Sequence, residues 1–364
     1  MKSFQIIKEL RKNSIRGIVF LIEYQNEKYI LKKQPVSNKS TKNYQYELIK
    51  ELDVLNFISK LSVNNRKFFM TLKEFYFDKC NFSYQDWDTN KNMFVQKEIK
   101  NTNCINLILN YKGKTLLSLL EKRLSKSDKY SMVIQIIYAI DILKKNKYLH
   151  NDVHVENITY QKSSDKIKIG QKEFDFKYQF SLIDFGFSKH SKFGKEYLTK
   201  ELLSINSDVI YFIREVILQN RLLIDLDLKK KKPRNLVPKF KLEDLQEIFN
   251  NHKSIWNKIK NTLYKKGKEY IKWFEIFESG KIYIFYKNFN EEYPILKFKD
   301  KNIINLSIIE EIKILFSAYN RKLFLKFNGF KDYLPNLIPS KDIEFMILNL
   351  KDNKKIIDYF ESNT

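Results

Sequence analysis

The stretch YLHNDVHVENITY, residues 148–160, holds His150 and His154, two of the chain's four histidines, beside Asp152, Glu156 and Asn157. Further along, a strand-like FSLID runs into Ile183-Asp184-Phe185-Gly186. Carboxylate and amide oxygens are the hard ligands that hold a divalent cation, and a carboxylate or imidazole can take a proton from a hydroxyl. The spacing H-x-D-x-x-x-x-N, from His150 through Asp152 to Asn157, collects such groups on one short loop. Taken singly, Asp152 and Asn157 read as turn residues and His150 as a packed histidine. Taken as a set with Asp184, they read as chemistry.

Such groups need rigid neighbours. SMVIQIIYAIDIL, residues 131–143, is apolar nearly all round, which predicts a buried helix leading directly into the loop. Residues 161–179 are polar and read as an inserted hairpin before the FSLID strand. Upstream, FQIIKEL, GIVFLIEY and KYILKK read as strands, the last two joined by a QNE turn. From Tyr44 to Ser59 the period is helical, with Leu48, Leu52 and Leu55 on one stripe. A strand-like FYF follows, then a polar stretch from Asp78 to Asn103, then CINLILNY as a buried strand; after Gly113 the chain turns helical again. SDVIYFIREVIL is a further helix, with Val209, Phe212, Ile213, Val216 and Ile217 on one face. Lys229 to Lys239, carrying Pro233 and Pro238, reads as a linker, and GKIYIFYKNFNEEYPILKF beyond it reads as a hairpin.

The pairing of H-x-D-x-x-x-x-N with a following Asp-Phe-Gly, in this order and with these flanks, resembles the catalytic loop and metal-binding turn of the protein-kinase superfamily. The resemblance covers about residues 4–220. It implies an α+β, bilobal protein kinase-like fold: a small antiparallel-sheet N-lobe with one helix, and a larger, mainly helical C-lobe. The divisions it suggests are 1–111 for the N-lobe and hinge, 112–228 for the catalytic core of the C-lobe, and 229–364 for a divergent C-terminal part of the C-lobe or an appended helical region.

The implied cofactors are ATP and Mg2+, with Asp184 and Asn157 as metal ligands and Asp152 as the base for the attacking hydroxyl. KYILKK resembles the family's third strand and would set Lys32 on the α- and β-phosphates. Glu51, followed by Val54 and Leu55, resembles the partner that holds that lysine; Glu47, one turn earlier, is the rival. CINLILNYKGKTL resembles the segment joining the lobes, where Asn110, Tyr111 and Lys112 would offer backbone to the adenine. Ser207-Asp208-Val209 resembles the start of the helix whose aspartate ties down the catalytic loop, and a plain N-cap explains Ser207 equally well. His150 is expected to pack behind Phe185, and His154 to lie in the active site near the transferred phosphate.

The chain departs from the family at three places. The phosphate-covering loop keeps only Gly17 of its glycines, with Lys12 and Arg16 as charges that would substitute for the missing backbone amides. Asn151 stands where the family has an arginine that pairs with a phosphorylated activation loop. Only 24 positions separate Asp184 from Asp208, and no proline lies between Pro35 and Pro233, so the family's Ala-Pro-Glu anchor is missing. Activity independent of loop phosphorylation is the expectation.

The implied function is an ATP- and Mg-dependent serine/threonine protein kinase, a divergent member of the kind large DNA viruses encode. Two alternatives remain. His154, two residues after Asp152, is the residue that aminoglycoside- and choline-type small-molecule kinases commonly carry there; the degraded glycine loop would suit a pseudokinase acting as a binding module.

The chain's 364 residues, 43% of them hydrophobic, can bury a sizeable core, and its apolar runs are too short to span a bilayer. MKSFQIIKELRK carries no secretion signal, and Cys80 and Cys104 read as two lone cysteines in a reducing, cytoplasmic or otherwise intracellular setting. The net charge of +24 would admit an acidic protein substrate or nucleic acid. Only eight of the 67 basic residues are arginine, however, and lysine so spread reads as a solvated surface. KKKKPR, residues 229–234, is a candidate nuclear-localisation patch.

Overall fold

Alternating β-branched and aromatic residues build one antiparallel sheet from the N-terminal part of the chain. In the computed structural model its strands are β1 (Gln5–Ser14), β2 (Gly17–Tyr24), β3 (Glu27–Val36), β4 (Leu72–Asp88) and β5 (Met93–Asn110), in the order β1-β2-β3-β5-β4. The structure describes residues 4–14, 17–36, 42–88, 93–120, 124–193, 196–217 and 337–364, with short strands between the last two ranges. The α+β class expected from the sequence holds, and among the described residues no helix is long and apolar enough to cross a membrane.

β2 and β3 meet at Gln25-Asn26, both with positive φ (54° and 61°), the tight hairpin turn whose twist matches that of its strands. Ile22, Tyr29, Leu31 and Ile108 form a core beneath the sheet, with Phe20 and Tyr76 packed against it. The polar stretch after Asp78 is not a separate region. It extends β4 and β5 into a long ladder reaching Asp88↔Met93.

Cys80 and Cys104 are likewise not lone. Because Asp78 pairs Cys104 and Cys80 pairs Thr102, the two cysteines share one face of the ladder, with Cα atoms 5.7 Å apart and a disulfide between them. Strand register alone joins residues 24 apart, and these cysteines therefore lend no support to a reducing compartment.

Helix α1 (Lys42–Ser59) connects β3 to β4. Its buried stripe is Glu51, Val54, Leu55 and Ile58, while Leu48 and Leu52 are only half-buried. The face is thus turned from the expected leucine stripe, and a carboxylate points inward. After short helices α2 (Val63–Arg66) and α3 (Leu117–Leu120) comes α4 (Lys126–Lys145), capped by Ser125 and Asp128 in a reciprocal capping box. Nearly every residue of α4 from Tyr130 to Leu143 is buried, as its all-round apolarity predicts.

The strands β6 (Lys114–Thr115), β7 (Ile158–Lys162) and β10 (Tyr178–Leu182) pair in the order β10-β7-β6, and β8 (Ile167–Ile169) with β9 (Lys172–Phe174) forms the expected inserted hairpin. Helix α5 (Glu196–Ile205) follows.

The chain divides into two compact units, one of Met1–Glu201 with Phe360–Thr364 and one of Leu202–Tyr359. In the second, α6 (Ser207–Phe212) runs into a π-helical turn at Ile213–Ile217. Its N-cap is Asn206, not Ser207. Asn206 adopts φ 58°, and its side chain donates to Leu350 O at 2.6 Å and Asn353 Oδ1 at 2.5 Å. Strand β12 (Lys281–Phe285) pairs with β11 (Trp273–Phe277) and β13 (Lys301–Asn305), so the hairpin expected within 280–298 has a different first partner; residues 286–300 lie outside the described residues. The linker at 229–239 and the basic patch at 229–234 also lie outside them. Helices α7 (Ser340–Leu348) and α8 (Asn353–Asn363) end the chain.

Candidate active site

Lys32 sits on β3, paired to Leu107 of β5, so its side chain leaves the face opposite Leu31. It reaches Glu51 of α1 with Nζ at 2.8 and 2.9 Å from the two carboxylate oxygens, and Asp184 Oδ1 at 3.0 Å. Gln34, two residues on and therefore on the same face, donates to Glu51 Oε2 at 3.4 Å. The side chains of Lys32 and Glu51 are 14% and 3% exposed, while that of Asp184 is 34% exposed.

Burial opposes every charge here, and pairing decides the outcome. Burial pushes the Lys32 ammonium down, yet Asp184 and Glu51 together hold it above its ordinary value. Burial lifts the Glu51 carboxyl against the pull of Lys32. For Asp184, burial is again outweighed by Lys32, which with help from His150 holds the carboxyl at about 2. Lys32 thus carries two acidic partners, and the more exposed of them is the one kept most firmly ionised. The side chain of Glu47, the rival to Glu51, lies outside the described residues.

The loop from His150 to Asn157 follows α4 and is fastened from within. Asn157 donates through Nδ2 to Asp152 O at 2.9 Å and to Asp152 Oδ2 at 3.0 Å. Its amide oxygen is then the atom of that side chain suited to a cation. Ile183 N donates to Asn157 O at 2.9 Å, and His150 Nε2 donates to Ile183 O at 2.9 Å, so the loop is tied to the residue just before Asp184. His150 is fully buried with its ring 5.2 Å from that of Phe185, and Phe69 packs on Phe185 at 6.4 Å.

His154 is 5% exposed, and its Nδ1 accepts from Glu156 N at 3.2 Å. A neutral imidazole with Nδ1 accepting carries its proton on Nε2, and that atom lies 3.5 Å from Asp152 Oδ2. His154 therefore lies against the carboxylate of Asp152. Asn151 and Asp184 adopt positive φ (61° and 62°), a costly backbone state for residues other than glycine and one that gathers at functional sites.

The remaining sequence candidates are spread along unit one or fall in the other unit. Asn110 ends β5 and donates to Thr71 O at 2.9 Å; Tyr111 and Lys112 are half-buried in the crossing to β6. Burial, then Lys67 nearby, pushes the Lys112 ammonium down. Gly113 closes this crossing at φ 89°, and a Cβ there would stand 1.9 Å from Tyr160 O, so only glycine fits. Gly17 is held the same way: a Cβ would meet Lys33 O at 2.1 Å, which makes this glycine necessary to strand packing. The side chains of Lys12 and Arg16 lie outside the described residues, and Asp208 is buried in the second unit.

The sequence reading missed four residues that the structure places in or beside the site. Gln34 had a signal, its two-residue offset from Lys32. Gln135 had another, a polar residue inside an apolar helix. It is fully buried and spans α4 to β10: its amide oxygen accepts from Phe180 N at 2.9 Å and Gln179 Nε2 at 3.0 Å, and its Nε2 donates to Tyr178 O at 2.8 Å. Asp53 and Lys192 gave none.

Among the described residues, no three His, Cys, Asp or Glu side chains gather as a cage for a metal ion. Asp184 and Asn157 offer one carboxylate and one amide oxygen, a set suited to a hard cation that takes its other oxygens from water and from its own ligand. Comparison with models of known protein families gave no match, and neither did comparison with curated proteins.

Proposed function

We propose that this chain is an ATP- and Mg2+-dependent phosphotransferase of bilobal, protein kinase-like build, moving the γ-phosphate of ATP to a serine or threonine hydroxyl of a protein. One observation carries the reading. Lys32, Glu51 and Asp184, drawn from a strand, a helix and a turn, meet within 3.0 Å, and the loop of Asp152 and Asn157 is hydrogen-bonded to the residue before Asp184. Buried charges are tolerated only when paired, so this arrangement is specified rather than incidental.

The residues present suit the nucleotide. Mg2+-ATP, when bound, supplies the transferable phosphoryl group and the cation that offsets its charge. Lys32 offers a cation to phosphate oxygens, and Glu51 fixes its direction. Asp184, ionised at any pH well above 2, and Asn157 hold oxygens for the metal. Asp152, oriented by Asn157 Nδ2 and neighboured by His154 Nε2, accepts the proton of the attacking hydroxyl. Positioning and electrostatics of this kind supply most of the rate in phosphoryl transfer.

The test is transfer of labelled γ-phosphate from Mg-ATP by the purified full chain, alone and with a mixed protein substrate, beside Asp152→Ala. Label on serine or threonine that disappears in Asp152→Ala is the expected result. Label appearing only on a small-molecule hydroxyl would move the acceptor to the small-molecule class. No transfer to any acceptor would overturn the phosphotransferase reading.

A further inference from the structure

Starting from the same helix that carries Glu51, a second set of polar side chains closes on itself. Asp53 of α1, Tyr148 at the entry to the catalytic loop, and Lys192 in the segment after Gly186 form a three-membered ring. Lys192 Nζ lies 2.7 Å from Asp53 Oδ2 and donates to Tyr148 OH at 2.7 Å, and Tyr148 OH donates to Asp53 Oδ2 at 2.7 Å.

The ring is backed by aromatic packing and by backbone. Phe57, one turn along α1 from Asp53, stacks on Tyr148 at 4.8 Å, and His190 covers Tyr148 at 4.4 Å. Lys192 also stands over the rings of Tyr148 and Phe193. Leu149 and Lys189 exchange two backbone hydrogen bonds of 2.9 Å, so the segment bearing Lys192 is stapled to the loop bearing Tyr148. His190 Nδ1 accepts from Lys192 N at 3.1 Å, which fixes the turn that aims the lysine.

An exposed ion pair alone holds little, because water screens it and two long side chains must be ordered. Here Lys192 is 44% exposed and Asp53 27%, but Tyr148 is buried at 5%, and burial pushes its phenol up, so it remains a proton donor. Each member satisfies the other two, and the three come from three separate elements. A network of that form resists opening more than any one of its pairs.

We propose that Asp53, Tyr148 and Lys192 are a built-in clamp: they hold helix α1, and Glu51 with it, against the catalytic loop and the segment after Gly186 with no phosphate added to the chain. They are positioning residues, acting on the reaction through Glu51 and Lys32. Their positioning role rests on the phosphotransferase reading; the clamp itself does not. The geometry explains how a short segment after Gly186 holds α1 in place: its Lys192, together with Tyr148 ahead of the catalytic loop, grips Asp53.

The test pairs activity with a measurement that needs none. Lys192→Met and Asp53→Asn break the ring, and Lys192→Arg restores its charge. In the full chain, amide hydrogen exchange across residues 42–59 and 146–150 is expected to quicken at least tenfold in Lys192→Met and Asp53→Asn, and to return toward wild type in Lys192→Arg. The kcat for phosphate transfer is expected to fall about tenfold in the same two variants, equal to about 1.4 kcal/mol in the barrier. KM for ATP should move less, and phosphatase treatment should leave wild-type kcat unchanged. Unchanged exchange overturns the clamp. Quickened exchange with unchanged kcat overturns the positioning role. Quickened exchange in a chain whose wild type transfers no phosphate upholds the clamp and overturns the phosphotransferase reading instead.

Discussion

Opposing forces meet at Asp184: burial raises its carboxyl, and Lys32 with its hydrogen bond brings it to about 2, below the ordinary 3.8. A carboxyl whose folded value is depressed contributes stability above its unfolded value and loses it as pH falls through the folded one. Glu51 runs the other way, its carboxyl raised by burial, so wild-type acid stability mixes two opposing trends. Asp184→Asn removes the depressed carboxyl, and with it part of the charge that raises Glu51. The advantage of wild type over Asp184→Asn in unfolding free energy is expected to shrink as pH falls from 3.8 toward 2. Denaturant titrations at stepped pH measure it, and a difference that grows toward acid would contradict the Lys32–Asp184 pairing. At this scale the sequence was legible where spacing and period set which side chains share a loop or a face. Asp152 and Asn157 share one loop, and Lys32 and Glu51 lie on elements whose periods are plain. It was silent on Asp53 and Lys192, two common charged residues whose partners are set only by tertiary packing. It placed His154 in the active site near the transferred phosphate, and the buried ring lies against Asp152.

Elements succeed here by agreeing on a few fixed joints. Helix α4 and strand β10 share Gln135, whose amide closes hydrogen bonds to Tyr178 O and Phe180 N from a fully buried position. Gln135→Leu keeps the shape but leaves a buried backbone donor and acceptor unpaired, which costs about 2–4 kcal/mol. A fall of that size in unfolding free energy is expected from denaturant melts; a change under about 0.5 kcal/mol would show that β10 does not depend on this bridge. Strands β1 to β3, helix α1 and the buried helix were readable because their apolar periods are strong. The β4–β5 extension was not, since its described side chains at 81, 83 and 95–100 are half-buried or exposed and impose no alternation, and the Cys80–Cys104 bond follows from register between residues 24 apart. The stripe on α1 was misjudged by part of a turn. Leu48 and Leu52 look like core in a sequence, but the pairing of Glu51 with Lys32 turns the helix to bury a carboxylate.

For the molecule as a whole, a surplus of 24 positive charges attracts anions of any kind, whereas the candidate site carries acids of its own. Glu51 and Asp184 set two carboxylates against Lys32, so the cluster is acidic by one charge before any nucleotide arrives. Under the proposed function, a tetra-anionic nucleotide would need a cation to share Asp184, so magnesium dependence is the expectation from charge as much as from motif. Calorimetric titration of ATP into the full chain, with and without Mg2+, beside Asp184→Asn, reads this directly. The account predicts that wild type binds ATP at least tenfold more tightly with Mg2+ than without, and that Asp184→Asn binds equally weakly in both. Wild type that binds ATP equally well with and without Mg2+, or not at all, would contradict it.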